Sequence, residues 1–303
     1  MKPAIVVFDE APHFLDHLAP LAIWLDMPLL IPSFKDYSLV KEYYPEADCH
    51  FIDCKELVLT ELLKTYDLLL YSTASRKAFE KEVGTAIKTV FVPHGNSDKD
   101  VRKEIQEEEM AFIYGQRMHD FLRPKNYITV GNYRKEYFAH KKYPSPLQFA
   151  RKQKTILYAP TLESFHPEIL DVPDHLNLVI KPHPFFARER SGFLATIPLK
   201  DNIQVLEEYP LVYPLLKEVD IYVGDISSLG YDFLACDKPL FFIGKEPLYS
   251  HSFGHRISKD IYKEIEKNSD SYQKARQEAY AYTFAPVPSK KSVYESLKKY
   301  YEA

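Results

Sequence analysis

Two histidines each follow a proline at the end of an apolar run, one in each half of the chain. His94 stands in the segment FVPHG, and His183 stands in VIKPHP. Proline has no N–H to give to a sheet ladder, so each proline predicts that strand pairing stops and that the next side chain projects from the sheet edge. An imidazole titrates near neutral pH, which suits a general base or a donor to phosphate. One such histidine is more often a backbone cap, but the repetition in both halves favours a functional role.

Groups that could bind an anion or a sugar hydroxyl stand beside both histidines. Gly95 lets the backbone come close to a ligand, and Asn96, Ser97 and Lys99 add hydrogen-bond donors in the same segment. Lys181 precedes the second histidine and adds a positive charge there. The same residue types are also typical of turns and solvated surfaces, so both interpretations stay open.

An acid and two hydroxyls stand at a third junction, in GDISSLGYDFLACD, where an apolar run meets an amphipathic one. Ser227 or Ser228 is the predicted N-cap of a helix, whose unpaired N–H groups and dipole attract anions. A cap alone contributes about 1 kcal/mol. Because Asp225 and the second hydroxyl exceed what a cap requires, the junction predicts a seat for a diphosphate. We expect Asp225 to face a ribose hydroxyl, Lys181 or His183.

The elements that must position these residues follow from the hydrophobic pattern. Short runs rich in β-branched and aromatic residues recur along the chain, alternating with segments of helical spacing, which is typical of parallel strands buried on both faces. The pattern predicts an α/β protein. A cationic, proline-containing stretch, KKYPSPLQFARKQK, predicts an exposed connection, so we expect an N-terminal domain over 1–148 and a C-terminal domain over 149–303. Ligands of such sheets bind beyond the carboxyl ends of the strands.

Composition and missing motifs exclude several classes of protein. The net charge is -4 and no stripe of lysine and arginine is present, so we expect no nucleic-acid partner. The apolar run at the start is too short for a signal peptide or a membrane span, which predicts a cytoplasmic location. The chain has no Walker loop, no G-x-G-x-x-G and no G-x-S-x-G, and its spaced histidine pairs lack the glutamate of a zinc-hydrolase helix. We therefore expect no metal and no cofactor.

Four segments in this order, VPHGNSDK, ILYAPT, VIKPHP and GDISSLGYDFLACDKPL, resemble the CDP-glycerol glycerophosphotransferase family, which primes and polymerises wall teichoic acid. The resemblance implies a GT-B fold, with two Rossmann-like, doubly wound parallel-sheet domains facing across a cleft. It also implies that a CDP-linked or other nucleotide-diphosphate donor binds mainly to the C-terminal domain. Glycerophosphate or a related alditol phosphate would pass to a polyol, glycan or lipid-linked acceptor with release of CMP. A lipid-linked acceptor would bring the protein to the inner face of the cell membrane as a peripheral contact.

The resemblance also implies roles for single residues. His94 would be the general base on the acceptor hydroxyl, and His183 would stabilise the phosphoryl group in transfer. Ser227 and Ser228 would bind phosphate, and Thr161 would lie beside the nucleotide. The expected donor phosphate and nucleotide contacts are Gly95, Ser97, Lys99, Thr161, Lys181, Asp225, Ser227 and Ser228.

Two alternatives remain open for the activity. A GT-B glycosyltransferase or a non-hydrolysing NDP-sugar 2-epimerase would break the sugar C–O bond and release a nucleoside diphosphate. A catalytically idle relative would bind nucleotide without turnover. The fold alone does not separate these alternatives.

Overall fold

A computed structural model describes most of the 303 residues and divides them into two compact units. The described residues are 1–7, 12–52, 65–72, 87–99, 101–161, 165–184, 192, 195, 197–198, 200–207, 209–244, 248–257 and 260–303. The first unit consists of Met1–His94, Asp100–His140 and Tyr282–Ala303, and the second unit consists of Gly95–Lys99 and Lys141–Ala281. The predicted boundary between residues 148 and 149 stays a prediction.

A seven-stranded parallel sheet forms the centre of the first unit, in the order β3-β2-β1-β4-β5-β6-β7. Its strands are β1 (Pro3–Val6), β2 (Leu29–Ile31), β3 (Cys49–Phe51), β4 (Leu68–Tyr71), β5 (Lys88–Phe91), β6 (Ala111–Ile113) and β7 (Tyr127–Thr129).

A six-stranded parallel sheet forms the centre of the second unit, in the order β10-β9-β8-β11-β12-β13. Its strands are β8 (Lys154–Ala159), β9 (Leu176–Ile180), β10 (Ile203–Val205), β11 (Ile221–Gly224), β12 (Leu240–Ile243) and β13 (His255–Ile257).

Ten α-helices flank the sheets in the described part of the chain. They are α1 (Pro12–Leu25), α2 (Phe34–Tyr43), α3 (Arg102–Glu107), α4 (Gln116–Leu122), α5 (Tyr133–Ala139), α6 (Val212–Glu218), α7 (Ser228–Phe233), α8 (Ile261–Lys267), α9 (Gln273–Thr283) and α10 (Lys290–Glu302). None of these helices combines the length and the apolar composition that crossing a membrane requires.

Alternating burial explains why these runs form strands. In β8, Ile156 and Tyr158 belong to one apolar cluster, whereas Leu157 and Ala159 belong to another. Successive side chains of a strand point to opposite faces, so a sheet covered on both sides requires a continuous apolar run. The prediction of an α/β protein with parallel sheets is therefore confirmed.

The strand order of each unit shows where its topological switch point lies. In each sheet the chain adds two strands on one side of the first strand and then crosses to the other side. The switch points lie between β1 and β4 and between β8 and β11, and doubly wound sheets bind ligands at the carboxyl ends of such strand pairs. After β1 and β4 only one residue each is described, Val7 and Ser72, whereas the description continues to Thr161 after β8 and through α7 after β11.

Candidate functional site

Asp225 joins the two strand ends at the switch point of the second unit. This side chain follows β11 directly and is 6% exposed. Its Oδ2 accepts hydrogen bonds from the backbone N–H and the hydroxyl of Thr161, at 2.9 and 2.6 Å. Its Oδ1 accepts one from the backbone N–H of Ser227, at 3.1 Å. Because Thr161 follows the neighbouring strand β8, the carboxylate fixes two loops relative to each other.

These hydrogen bonds involve partners that the sequence did not suggest, and Asp225 also interacts electrostatically with His183, one of the expected partners. The sequence suggested a ribose hydroxyl, Lys181 or His183 for Asp225, and the structure gives the carboxylate hydrogen bonds to Thr161 and Ser227. Sequence reasoning missed this network because it depends on the pairing of β8 with β11, which brings together residues 64 positions apart.

The two serines of the junction have different positions. Ser227 is the N-cap of α7, and its hydroxyl accepts a hydrogen bond from the backbone N–H of Leu229 at 3.4 Å. Ser228 is the first helical residue and is half-buried, so its hydroxyl lies outside the cap. The structure thus selects Ser227 from the two predicted caps and leaves the second hydroxyl for another role.

The helix after this junction is shorter than its predicted span, SLGYDFLACD. The α-helix ends at Phe233, and a 3-10 turn follows over Leu234–Cys236. Asp237 then adopts a left-handed conformation with φ of 49°, and Pro239 follows two residues later. A left-handed residue followed by proline ends a helix because proline cannot continue the hydrogen-bond ladder.

His183 is placed among charged groups of the second unit. The imidazole is half-buried, and burial lowers its pKa below the usual value. Asp225 opposes this shift, whereas Lys99 and Lys181 add to it. His183 is therefore neutral at pH 7, with one ring N–H to donate and one ring nitrogen to accept a proton.

Lys181 connects the end of β9 to the loop before α6. Its Nζ donates a hydrogen bond to the backbone carbonyl of Tyr209 at 2.7 Å. The half-buried stem and this contact hold the ammonium at the carboxyl end of the sheet. The position agrees with the sequence expectation of a cation beside His183.

The segment Gly95–Lys99, which we call the strap, belongs to the second unit. It begins with Gly95 at φ of 116°, a conformation that side-chain-bearing residues rarely adopt. The hydroxyl of Ser97 donates to the carbonyl of Ile226 at 3.0 Å and accepts from the backbone N–H of Lys99 at 3.0 Å. The first bond holds the strap to the junction between β11 and α7, and the second closes a turn within the strap.

The strap also contains a second anchor and a buried amide. Asp98 accepts from the hydroxyl of Tyr231 at 2.5 Å and from the backbone N–H of Ser250 at 3.3 Å. Asn96 is only 2% exposed, and its two amide atoms have no hydrogen-bond partner in the described part of the chain. A buried amide without hydrogen-bond partners costs on the order of 1–3 kcal/mol of stability. A hydrogen bond from Asn96 to a polar ligand atom would recover part of this free energy.

His94 belongs to the first unit and is exposed. It follows β5 and Pro93, as the Pro-His pattern predicts. Its ring contacts the first turn of α1, with centroid distances of 5.7 Å to His13 and 5.1 Å to Phe14. The imidazole is thus accessible to a substrate and is held on one side by two rings.

The predicted donor-binding residues and the predicted catalytic residue His183 all lie in the second unit. They are found on the strap and at the carboxyl ends of β8, β9 and β11: Gly95, Ser97, Lys99, Thr161, Lys181, His183, Asp225, Ser227 and Ser228. The sequence did not indicate that the hydroxyls of Ser97 and Thr161 bind protein oxygens. The roles of all these residues in binding or catalysis stay predictions.

Sequence comparison gives a family and a relative. The model of the family described as CDP-Glycerol:Poly(glycerophosphate) glycerophosphotransferase matches residues 107–269, more than half of the chain. The teichoic acid glycerol-phosphate primase of Bacillus subtilis (strain 168) is 28% identical over 149 residues, which cover 46% of this chain and 38% of that protein. The match therefore spans well under half of that relative's length.

Structure comparison finds matches over almost the whole chain. The wall teichoic acid polymerase TagF matches with a TM-score of 0.64 and 14% identity, covering 100% of this chain and 90% of that chain. S. aureus MnaA with UDP matches at 0.61 and 14%, covering 99% and 97%. Anabaena HepE with UDP-glucose matches at 0.57 and 9%, covering 99% and 100%. At these identities the likeness shows the fold alone, and the predicted GT-B fold is confirmed.

Proposed function

Because the chain belongs to the CDP-glycerol:poly(glycerophosphate) glycerophosphotransferase family, we propose that it transfers glycerophosphate, or a related alditol phosphate, from a CDP-linked donor to an acceptor hydroxyl. CMP is the second product. The main support within the structure is the network that joins Asp225 to Thr161 and Ser227 at the switch point of the second unit. The network fixes the strand ends beyond which nucleotide-type ligands bind in doubly wound sheets.

The donor's diphosphate lies at the start of α7 in this proposal. The hydroxyl of Ser228 and the backbone N–H groups of the first turn donate to phosphate oxygens. Lys99 and Lys181 add positive charge, and neutral His183 adds a ring N–H. Because α7 has only six residues, single hydrogen bonds and the lysines contribute more here than the dipole of the helix.

The transfer step conserves atoms and charge. The acceptor hydroxyl gives its proton to the imidazole of His94, and its oxygen attacks the phosphorus nearer the glycerol. The bond between that phosphorus and the bridging oxygen breaks, and CMP leaves with the electron pair. Fixed N–H groups and cations stabilise the charge that develops on the phosphoryl oxygens. The products are a phosphodiester and CMP.

The two alternatives predict different products. A glycosyltransferase or a sugar 2-epimerase cleaves the sugar C–O bond, so the nucleoside diphosphate is released or retained as an intermediate. The S. aureus MnaA and Anabaena HepE structures contain UDP or UDP-glucose and have a similar fold. The experiment therefore has to distinguish this alternative from phosphate transfer. An idle relative binds nucleotide and forms neither product.

Replacing the proposed base separates binding from catalysis. In His94→Gln we expect turnover of CDP-glycerol to fall by roughly 100-fold or more, because a general base typically contributes that much. The dissociation constant for CDP-glycerol should stay within about twofold, since the proposed donor contacts belong to the second unit. Turnover is measured as CMP formed, and donor binding is measured by calorimetry with CMP, CDP, UDP, GDP and CDP-glycerol.

A surface histidine provides the matched control for this variant. His50 lies on β3, and its side chain is 53% exposed beside Asp48, so His50→Gln should change neither turnover nor binding. Equal turnover in His94→Gln and His50→Gln would show that His94 is not the general base. Tighter binding of UDP than of CDP-glycerol would instead favour the sugar-nucleotide alternative.

A further inference from the structure

We infer that Tyr114 is a positioning residue for His94, a role that rests on the proposed function. Tyr114 follows β6, is 2% exposed, and its hydroxyl donates a hydrogen bond to the backbone carbonyl of Pro93 at 2.9 Å. That carbonyl belongs to the peptide unit whose N–H is part of His94. Fixing this peptide plane fixes the direction in which the backbone presents the imidazole.

A count of hydrogens shows how the Tyr114 hydroxyl is held. Tyr114 has one hydroxyl hydrogen, which it donates in the hydrogen bond to the carbonyl of Pro93, because a carbonyl can only accept a hydrogen bond. Tyr133 gives its hydroxyl hydrogen to the carbonyl of His17 at 3.0 Å. The two tyrosine oxygens lie 3.4 Å apart, and both of their hydrogens are already used.

His17 must therefore be the donor in its contact with Tyr114. The two atoms, Nδ1 of His17 and the hydroxyl oxygen of Tyr114, are 2.7 Å apart, and the oxygen has only lone pairs to offer. The Nδ1–H tautomer of His17 satisfies this geometry. Burial keeps the pKa of His17 well below its usual value, and Arg134, His94 and His13 lower it further, so the ring is neutral.

Aromatic packing fixes the ring that presents the hydroxyl. The Tyr114 ring stacks on Tyr133 at a centroid distance of 5.9 Å and meets Phe284 edge-on at 6.0 Å. Trp24 also stacks on Tyr133, at a centroid distance of 5.8 Å. The Tyr114 ring thus packs against two aromatic neighbours, which restrict the position of its hydroxyl.

The same network anchors the helix that packs against His94. Pro20 lies inside α1 and has no N–H, which leaves the carbonyl of Asp16 without its helical donor. Arg134 supplies that hydrogen bond from Nε at 3.2 Å and also forms a buried ion pair with the Asp16 carboxylate. Together with the bond from Tyr133 to His17, this contact fixes α1 to α5. The first turn of α1 contains the two rings that contact the imidazole of His94.

Removing one hydroxyl tests the inference. In Tyr114→Phe we expect kcat with CDP-glycerol to fall at least fivefold, while KM for the donor and its calorimetric dissociation constant stay within about twofold. The matched control is Tyr71→Phe, because Tyr71 is 1% exposed, lies in the same unit and donates its hydroxyl hydrogen bond to Glu108 at 2.5 Å, not to Pro93. The control should lose stability without losing kcat.

The outcomes separate the inference from the proposed function. If kcat of Tyr114→Phe equals that of Tyr71→Phe, the positioning role is wrong even when His94→Gln is inactive. If His94→Gln keeps full turnover, His94 is not the base and the positioning role fails with it. If the unaltered protein forms no CMP from CDP-glycerol, the proposed function itself fails.

A second measurement on the unaltered protein covers the case in which Tyr114→Phe does not fold. Nitrogen NMR of histidine-labelled protein, with the His17 signals assigned by their loss in His17→Gln, should show a neutral ring protonated on Nδ1 at pH 6. A ring protonated on Nε2 alone would overturn the hydrogen-bond assignment, because Tyr114 would then have to donate to His17 instead of Pro93.

Discussion

Ser227 and Ser228 are neighbouring residues that have different positions at the start of α7. The sequence predicted that one of Ser227 and Ser228 caps a helix and that the other is surplus, but the sequence did not decide between them. The structure assigns the cap to Ser227, whose hydroxyl accepts from Leu229, and makes Ser228 the first helical residue. The choice depends on the backbone conformation of Ser227, which is extended at φ of -63° and ψ of 147°, and residue types do not specify it.

The pair yields opposite expectations for two alanine variants. Ser227→Ala should lower the free energy of unfolding by about 1 kcal/mol, because the cap is lost. Ser228→Ala should leave stability nearly unchanged and weaken CDP-glycerol binding roughly tenfold, because a hydrogen bond to a charged phosphate is worth about 1.5 kcal/mol. Urea denaturation and calorimetry measure the two effects.

The exposed Ser269 provides the control, and Ser269→Ala should change neither quantity. Unchanged binding in Ser228→Ala would contradict the phosphate seat.

At the scale of elements, the hydrophobic runs predicted the strands well because burial on both faces of a sheet requires continuous apolar sequence. The strap was not predicted as part of the second unit. Its anchors, Ser97 to Ile226 and Asp98 to Tyr231, join positions far apart in the chain, and local patterns contain no signal for such contacts. The predicted helical segment ends at Asp237, where the left-handed residue lies, but the sequence did not indicate that its last turn, Leu234–Cys236, is a 3-10 turn.

Gly95, the first residue of the strap, should tolerate no side chain. Gly95 has a φ of 116°, so Gly95→Ala forces a side chain into a strained conformation and should cost about 1–3 kcal/mol of stability or shift the strap. Donor affinity should fall as well, because Lys99 is displaced with the strap. At Gly192 the φ is not left-handed and an added methyl group would meet no atom within 4 Å, so Gly192→Ala is the control and should be neutral. Equal stability and donor affinity in the two variants would show that the strap tolerates the change.

At the scale of the whole molecule, the sequence predicted the α/β class, the parallel sheets and the GT-B fold. The segment Tyr282–Ala303 packs with the first unit although it ends the chain. Its Tyr294 hydroxyl donates to the carbonyl of Leu25, and its Tyr301 hydroxyl donates to Asp67. Such contacts join the two ends of the sequence, and no pattern within the C-terminal segment specifies its partner.

The fold is shared by a teichoic acid polymerase and by proteins solved with UDP or UDP-glucose, so the identity of the product decides the activity. The most direct test is phosphorus NMR of a reaction that contains CDP-glycerol and a synthetic lipid-linked glycerophosphate acceptor. The account predicts CMP and a new phosphodiester in equal amounts, with both signals reduced roughly 100-fold in His94→Gln. Release of CDP, or formation of CMP at the same rate in His94→Gln, would contradict it.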